Sequence, residues 1–349
     1  MLAFIGSRTT RERKARGEGI TVCRVGDDGL LSPVQVLGGL ENPSYLALNR
    51  RGDRLYTVHG DGSACSVLAI DPITSALRLL HTQPCDLRNP VHLALDPQER
   101  HLVVSSHLTG ELVVLQVQDD GKLGAVEQRV ALPGDPGPHR VEQPFSKPHF
   151  NPFDPTGRFV VVPDKGLDRI FVFRFEGGRL SPAEVPFVQT REGAGPRHVV
   201  FDASGRRLYA VNELDSSVTV YGFDPATGAL TPQQWLPLLP DTFTGDSRAA
   251  EIALARDGRH LYASNRGCDT IEVFAVDATT GRLTHRQSRP TEGRTPRFFA
   301  LHPDGHALYA LNEDSDAVMV VEVNAIDGSL GKTLGSLRCG SPVCLVFGH

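Results

Sequence analysis

A unit that recurs along the whole chain leaves few folds open to it. The unit reads Pro, four residues, an apolar position, a short turn, then Gly-Arg-x-Leu-Tyr-x-x-Asn. An alternating apolar run and an Asp-x-x-x-Gly-x-Leu turn follow. Copies begin at Asn42 (NPSYLALNRRGDRLYTVHG), Asn89 (NPVHLALDPQERHLVVSSH), Lys147 (KPHFNPFDPTGRFVVVPDK) and Gly195 (GPRHVVFDASGRRLYAVNE). Two more begin at Ala249 (AAEIALARDGRHLYASNR, without the proline) and Thr295 (TPRFFALHPDGHALYALNE), and SPVCLVFGH opens a seventh at Ser341. The anchors Pro43, Pro90, Pro148, Pro196, Ala249, Pro296 and Pro342 are spaced by 47, 58, 48, 53, 47 and 46 residues. A period in the forties with short alternating strands marks the blades of a β-propeller, each a four-stranded antiparallel sheet. The expected fold is therefore all-β, one seven-bladed propeller over residues 1–349.

The Gly195 copy parses into strand A at His198–Phe201, B at Arg207–Val211, C at Ser217–Phe223 and D near Leu230–Leu236. Asp202–Gly205 and Asp224–Gly228 carry turn chemistry between them, and Asp304 reads as a turn residue in the same way. The last copy supplies only strand A, Val343–Phe347. The N-terminus supplies B at Ala3–Gly6, C at Gly19–Val25 and D at Leu31–Leu37. Pairing them closes the ring, with the seventh blade shared between residues 1–40 and 341–349, and removes two exposed sheet edges. The two long spacings locate Pro-rich insertions, Pro133–Phe145 and Leu236–Gly245, expected as rim loops. A helical reading fails because no segment sustains a 3.6-residue period. The 35 glycines and 25 prolines agree with many turns.

Charge and cysteine usage narrow the function classes. A net charge of -5 argues against a nucleic-acid partner. No apolar run approaches the length of a membrane span, and Met1–Gly6 is too short for a signal-peptide core. The expected compartment is the cytoplasm, with a leader removed before residue 1 left open. The six cysteines form no CxxC pair and no zinc-type spacing, so reduced thiols are expected, with a Cys339–Cys344 disulfide as the rival.

Topology alone places candidate site residues. Strand A is innermost and B runs antiparallel beside it, so the start of A and the end of B share one face near the axis. The A row is Ser44/Tyr45, Val91/His92, His149/Phe150, Arg197/His198, Ala250/Glu251, Arg297/Phe298 and Val343/Cys344. The B row is Ser7/Arg8, His59/Gly60, Ser106/His107, Asp164/Lys165, Asn212/Glu213, Asn265/Arg266 and Asn312/Glu313. Asn212, Asn265 and Asn312 read as ties between blade turns through side-chain to backbone hydrogen bonds. His149, Arg197, Glu213 and Arg266 differ from blade to blade and gather acid, base and guanidinium at one mouth, which points to chemistry.

The segments GAGPRHVVFDASGRRLYAVNELDSSVTVY, PFDPTGRFVVVPDKGLDRIFVFRF, AEIALARDGRHLYASNRGCDTIEVF and TPRFFALHPDGHALYALNEDSDAVMVVEV resemble the seven-bladed propeller lactonase family. That family includes bacterial 6-phosphogluconolactonase and fungal carboxy-cis,cis-muconate cyclase. The resemblance spans nearly the whole chain and is strongest over Lys147–Val323. It implies His149, Arg197, Glu213 and Arg266 as catalytic residues and a small anionic lactone as substrate, with Lys165, His198, Glu251, Asp164 and Arg297 as substrate-binding residues. No metal or cofactor is expected, since a calcium mouth would need more carboxylates than the two rows hold. A monomer or weak homo-oligomer is expected, because a closed ring needs no partner for stability. Lactone opening needs an activated water and positive charge beside the developing oxyanion. His149 or Glu213 would serve as the base, with Arg197 and Arg266 as the anion clamp. Two rivals stand: a cycloisomerase closing a muconate with the same clamp, and a non-enzymatic binding propeller. Against the second, the Trp-Asp dipeptide is absent and Trp235 is the single tryptophan.

Overall fold

The computed structural model describes residues 1–348 and contains 27 strands and one short 3₁₀ turn, Glu313–Ser315. Blade seven joins β1 (Leu2–Ser7), β2 (Ile20–Val25) and β3 (Leu31–Leu37) to the C-terminal β27 (Pro342–Gly348). Blade one is β4 (Pro43–Leu48), β5 (Arg54–His59), β6 (Ala64–Ile70) and β7 (Leu77–Pro84). Blade two is β8 (Pro90–Leu95), β9 (His101–Ser106), β10 (Glu111–Val117) and β11 (Leu123–Ala131). Blade three is β12 (Phe159–Asp164), β13 (Arg169–Glu176) and β14 (Arg179–Gln189). Blade four is β15 (Pro196–Phe201), β16 (Arg207–Asn212), β17 (Ser217–Phe223) and β18 (Leu230–Pro237). Blade five is β19 (Arg248–Leu254), β20 (His260–Arg266), β21 (Thr270–Val276) and β22 (Leu283–Pro290). Blade six is β23 (Pro296–Leu301), β24 (Ala307–Asn312), β25 (Ala317–Val323) and β26 (Leu330–Arg338). The ring closes as the repeat requires, with Leu2 opposite Gly348 and Ile5 opposite Leu345. The expected domain reached His349, which lies outside the described residues.

Blade three departs from the four-stranded expectation. It has a regular three-stranded ladder, and its innermost segment, Lys147–Phe153, pairs only through the bridges Pro148–Asp164 and Phe153–Val160. The anchor Pro148 has counterparts that open regular strands in other blades, but the second proline, Pro152, has no N–H to give a ladder. The Asn151 amide instead turns to blade two, donating to the Val103 carbonyl at 2.9 Å and accepting from Ser105 Oγ at 2.6 Å.

The B and C strands are buried almost throughout, whereas the outer D strands alternate buried and exposed positions and carry Pro33, Pro182 and Pro232 as edge strands can. Seven apolar clusters fill the seven junctions between neighbouring blades. Each buried Val, Leu or Phe there contributes roughly 1.5–3 kcal/mol. Three polar devices recur across the same junctions. The tyrosine of the Leu-Tyr motif donates to a glycine carbonyl in the next blade: Tyr56 to Gly121 (2.9 Å), Tyr209 to Gly281 (3.1 Å), Tyr262 to Gly328 (2.8 Å) and Tyr309 to Gly29 (2.6 Å). At the outer belt, Gln35, Gln128, Gln234 and Gln287 each use both amide atoms on the backbone of a leucine opening the next blade's last strand.

The third device is an inner strap. A turn aspartate after strand B accepts the N–H of the residue before the next blade's anchor proline: Asp168 from Gly195 (2.7 Å), Asp269 from Thr295 (2.8 Å) and Asp316 from Ser341 (2.9 Å). Asn89 and Asn42 make the reverse contact, accepting from Asp61 N (3.0 Å) and Thr9 N (2.7 Å). The junctions between blades two and three and between four and five lack the strap, having Gly110 and Ser216 at the turn. Those are the two junctions that carry the long insertions.

All six cysteines are free thiols, so the Cys339–Cys344 disulfide is not formed. No helix among the described residues is long and apolar enough to cross a membrane. Replacing Asp316 with Ala strips the strap at the ring closure and leaves the Ser341 N–H without its acceptor. The expected cost is about 1–3 kcal/mol of unfolding free energy in urea, with faster hydrogen exchange at Ser341.

Candidate active site

A β-bulge at the head of each regular inner strand builds the mouth. The pairing register skips Ser44, Val91, Arg197, Arg297 and Val343, and jumps from Ala249 to Ile252 in blade five. An extra residue in one strand re-aims its side chains, so two successive residues face the axis where strict alternation allows one. The result is two tiers. Ser44, Val91, His149, Arg197, Arg297 and Val343, with Arg8 from the ring-closing segment, wall a narrow chamber at the axis whose lining also includes Tyr45, His198 and Phe298. Tyr45, His92, Phe150, His198, Glu251, Phe298 and Cys344 form the tier beneath. Its rings pack edge-on or stacked, with Tyr45 to His92 at 4.3 Å, His92 to Phe150 at 3.9 Å and Phe150 to His198 at 4.3 Å between centroids. This aromatic plug is the floor of the site.

The B-strand ends bring the charges. Glu213, 4% exposed, has Arg197 Nε and Arg266 Nη2 each 3.2 Å from Oε2, and Lys165 Nζ 3.1 Å from Oε1. Burial alone would raise its carboxyl, but Lys165, Arg266 and Arg197 outweigh burial and hold it well below the usual range. Burial, then repulsion from Arg266 and Arg297, lowers the Arg197 guanidinium to about 9. Arg197 and Arg266 are also braced on backbone, donating to the Ala250 and Ala249 carbonyls. Across the mouth, Arg8 Nε lies 3.0 Å from Glu313, and its buried Nη1, 3.5 Å from Asp61 Oδ2, makes no hydrogen bond among the described residues. Arg297 Nε lies 3.9 Å from Glu313, its one ion-pair contact among the described residues.

Two imidazoles and an acid complete the centre. His149 Nδ1 is 3.2 Å from His198 Nε2, and His198 Nδ1 is 3.0 and 3.1 Å from the two Glu251 oxygens. Burial, then the Arg197 charge, pushes the His149 and His198 imidazoliums well down, so both rings are neutral near pH 7. Burial pushes the Glu251 carboxyl up to about 8, against the pull of Arg197. His107, in edge contact with His149 at 5.3 Å between centroids, is driven down to about 3 by burial and the nearby Lys165.

His149, Arg197, Glu213, Arg266, Lys165 and Arg297 thus meet at one mouth. Asp164 does not offer itself to a ligand: it is fully buried, and its oxygens accept from Ser146 Oγ and from the N–H groups of Lys147, Gly166 and Leu167. It shapes the turn that presents Lys165. His198 and Glu251 lie in the floor tier, where the His198 ring lines the chamber and its two nitrogens face Glu251 and His149. Asn265 and Asn312 donate to the Leu238 and Thr291 carbonyls, as ties between blades do, while Asn212 donates to the Ser217 and Thr219 hydroxyls of its own blade. His59 is structural, with one ring nitrogen on the Glu41 carbonyl and the other on Ser66 Oγ.

Sequence reasoning missed three charged residues. Arg8 stood in the B row without being singled out. Glu142 comes from the first insertion and bridges Lys165 (3.0 Å) and Arg248 (2.6 Å), the latter placed just after the second insertion. Both insertions dock on glycines that admit no side chain: a Cβ on Gly166 would lie 1.9 Å from the Phe145 carbonyl, and one on Gly267 2.2 Å from that of Asp246. The signal available was charge inside or beside an insertion next to the charged arc. The one His/Asp cluster of metal-ligand spacing among the described residues, His302, Asp304 and His306, sits in an A–B turn at the opposite end of the channel.

The family model described as "Lactonase, 7-bladed beta-propeller" matches residues 2–347. A 6-phosphogluconolactonase of Bacillus subtilis is 30% identical over 322 residues, covering 91% of each chain. A 6-phosphogluconolactonase of Formosa agariphila is 30% identical over 317 residues, covering 86% of each. The crystal structure of a periplasmic gluconolactonase of Pseudomonas aeruginosa superposes with a TM-score of 0.92 at 31% identity, over 100% of this chain and 99% of that one. By sequence, fold and blade-for-blade closure, this chain belongs to the seven-bladed β-propeller lactonase family.

Proposed function

We propose that the chain hydrolyses a sugar-derived lactone carrying a negative charge, at the mouth formed by blades three to six and the ring-closing segment. The observation that carries this reading is a neutral imidazole, His149, in a chamber walled by the guanidiniums of Arg8, Arg197 and Arg297. The relatives named 6-phosphogluconolactonase and gluconolactonase support the same chemistry. In the proposed reaction His149 Nε2, which makes no hydrogen bond among the described residues, removes a proton from water. The water oxygen bonds to the lactone carbonyl carbon, and the carbonyl electrons collect on its oxygen. Arg197, fixed on Glu213 and the Ala250 carbonyl, faces that oxyanion. The intermediate then collapses: the ring C–O bond breaks, and the ring oxygen takes the proton from His149. Arg8 and Arg297 hold the substrate's anionic group in the planar fork that suits carboxylate and phosphate.

Glu213 is assigned to the clamp rather than to the base. A carboxylate held by three cations has too little proton affinity to activate water. Its charge keeps Lys165, Arg197 and Arg266 together. The cytoplasm is the compartment we infer, supported by six free thiols, five of them buried.

Parallel assays with 6-phosphogluconolactone, unphosphorylated gluconolactone and carboxymuconate test the reading. Hydrolysis of the phosphorylated lactone is expected, and exclusive closure of the muconate overturns it in favour of the cycloisomerase. Glu213→Gln is expected to lower kcat/KM by about 10–100-fold as the cations it gathers move apart. Turnover within twofold of wild type would remove Glu213 from the scheme. Arg8→Gln is expected to raise KM for the phosphorylated lactone roughly tenfold, about 1.4 kcal/mol of binding, and to leave KM for the neutral lactone unchanged.

A further inference from the structure

The floor tier contains two titratable groups that line up behind the base and are used by no other contact in the site. His198 is 2% exposed and Glu251 6%. The contacts run in one direction, from Glu251 to His198 Nδ1 and from His198 Nε2 to His149 Nδ1, leaving His149 Nε2 toward the chamber. Glu251 is itself positioned: its backbone N–H donates to Ser264 Oγ (3.0 Å), and its Oε1 accepts from Ile252 N (3.0 Å). Phe150, stacked on His198, fixes that ring's plane. We infer that Glu251, His198 and His149 form a proton chain in which the two floor residues orient His149 and receive, at Glu251, the charge created when His149 takes a proton from water.

The inference rests on the hydrolase reading for its role in turnover, and the proton count closes. In the base-competent state Glu251 is a carboxylate accepting from His198 Nδ1–H, and His198 Nε2 accepts from His149 Nδ1–H. His149 Nε2 then carries a lone pair. When water gives its proton to that nitrogen, the Nδ1 proton of His149 passes to His198 Nε2 and the Nδ1 proton of His198 passes to Glu251. Both imidazoles remain neutral and the carboxylate becomes an acid. Return of the proton to the leaving ring oxygen reverses each transfer. No imidazolium has to persist among the arginines. His198 and Glu251 are therefore positioning residues, and His149 alone touches the reacting water.

Several groups face the chain from the packed elements. Arg197, Arg266 and Arg297 oppose positive charge, Glu213 opposes negative charge, and His107, His92, Tyr45 and Cys344 are held neutral by burial. With the Glu251 carboxyl pushed up to about 8, the chain holds its extra proton below that pH and His149 Nε2 is an N–H. Above it the proton leaves and the lone pair appears. Turnover corrected for spontaneous lactone hydrolysis should therefore rise with pH through about 8.

The test combines kinetics with nitrogen-15 NMR of histidine-labelled protein. In wild type the His149 ring is expected to switch from the Nε2–H to the Nδ1–H tautomer as pH crosses about 8. Glu251→Gln should abolish the switch, flatten the alkaline rise and lower kcat by ~10²-fold with KM within twofold, the size expected of general-base catalysis. Glu251→Asp, which keeps an acid, should restore the rise. Absence of the switch in wild type overturns the chain, and that measurement needs no variant to fold. A Glu251→Gln enzyme with kcat within threefold of wild type and an unchanged pH profile overturns it as well. A switch in a wild-type protein that opens no lactone sustains the chain and refutes the hydrolase reading instead.

Discussion

Closure of the ring depends on the junction between neighbouring blades, where strand A of one blade must meet the turn after strand B of the last. The aspartate or asparagine strap at that point satisfies a backbone N–H: that of the residue before the anchor proline where the strap is Asp168, Asp269 or Asp316, and that of the facing segment where it is Asn42 or Asn89. Five of the seven junctions have it, in one direction or the other. The tyrosine and glutamine contacts repeat the same logic farther from the axis. Because apolar contacts are non-directional, these polar contacts set the rotation of each blade against the next. That rotation decides which inner-strand residues look into the channel.

The two unstrapped junctions are where the fold gives way to function. With Gly110 and Ser216 at the turn, the strap from a turn side chain is missing, and the path between blades is longer there. The first insertion carries Glu142 over Lys165, and the second ends at Arg248, which meets Glu142 from the other side. The loops thereby add a charged roof to a mouth whose walls come from the blades. The inner segment of blade three is also irregular, and there Pro152 forgoes a ladder bond beside the contacts that Asn151 makes with blade two. His149 sits inside that segment.

The architecture was readable from the sequence because a propeller blade is a local object. Ser217–Phe223 and Leu31–Leu37 emerge with the bounds read from alternation, and the closing strands differ by a residue or so at their ends. The mouth was readable as two rows, since topology alone puts the start of A beside the end of B. What alternation could not convey was the bulge that turns both members of each A pair inward, nor which member lies above the other. The stacking of His198 and Glu251 behind His149 was therefore not legible from the row positions. Asp164 misled for a related reason: its row position is right, but three backbone N–H groups and a serine consume its oxygens, and such saturation is invisible before the turn is folded. Glu142 and Arg248 meet through loops whose paths follow no period.

The charges at the mouth impose a conflict that the two tiers resolve. A site that stabilises an oxyanion and binds an anion must be rich in guanidinium, yet a base in the same field loses proton affinity with every cation added. Glu213 answers half of this by gathering Lys165, Arg197 and Arg266 around one carboxylate, which spends their repulsion without consuming their free N–H groups. In the proposed scheme it is not also the base, because the contacts that make it useful hold its proton affinity down. His149 answers the other half only if its protonated form need not persist, since burial and Arg197 both act against an imidazolium. A carboxylate in the apolar floor supplies what is missing. Burial favours its neutral acid, so it gains proton affinity from the same dry surroundings that deny it to the imidazoles. Separating the acid from the arginines by one histidine ring lets the wall stay cationic while the proton is stored beneath it.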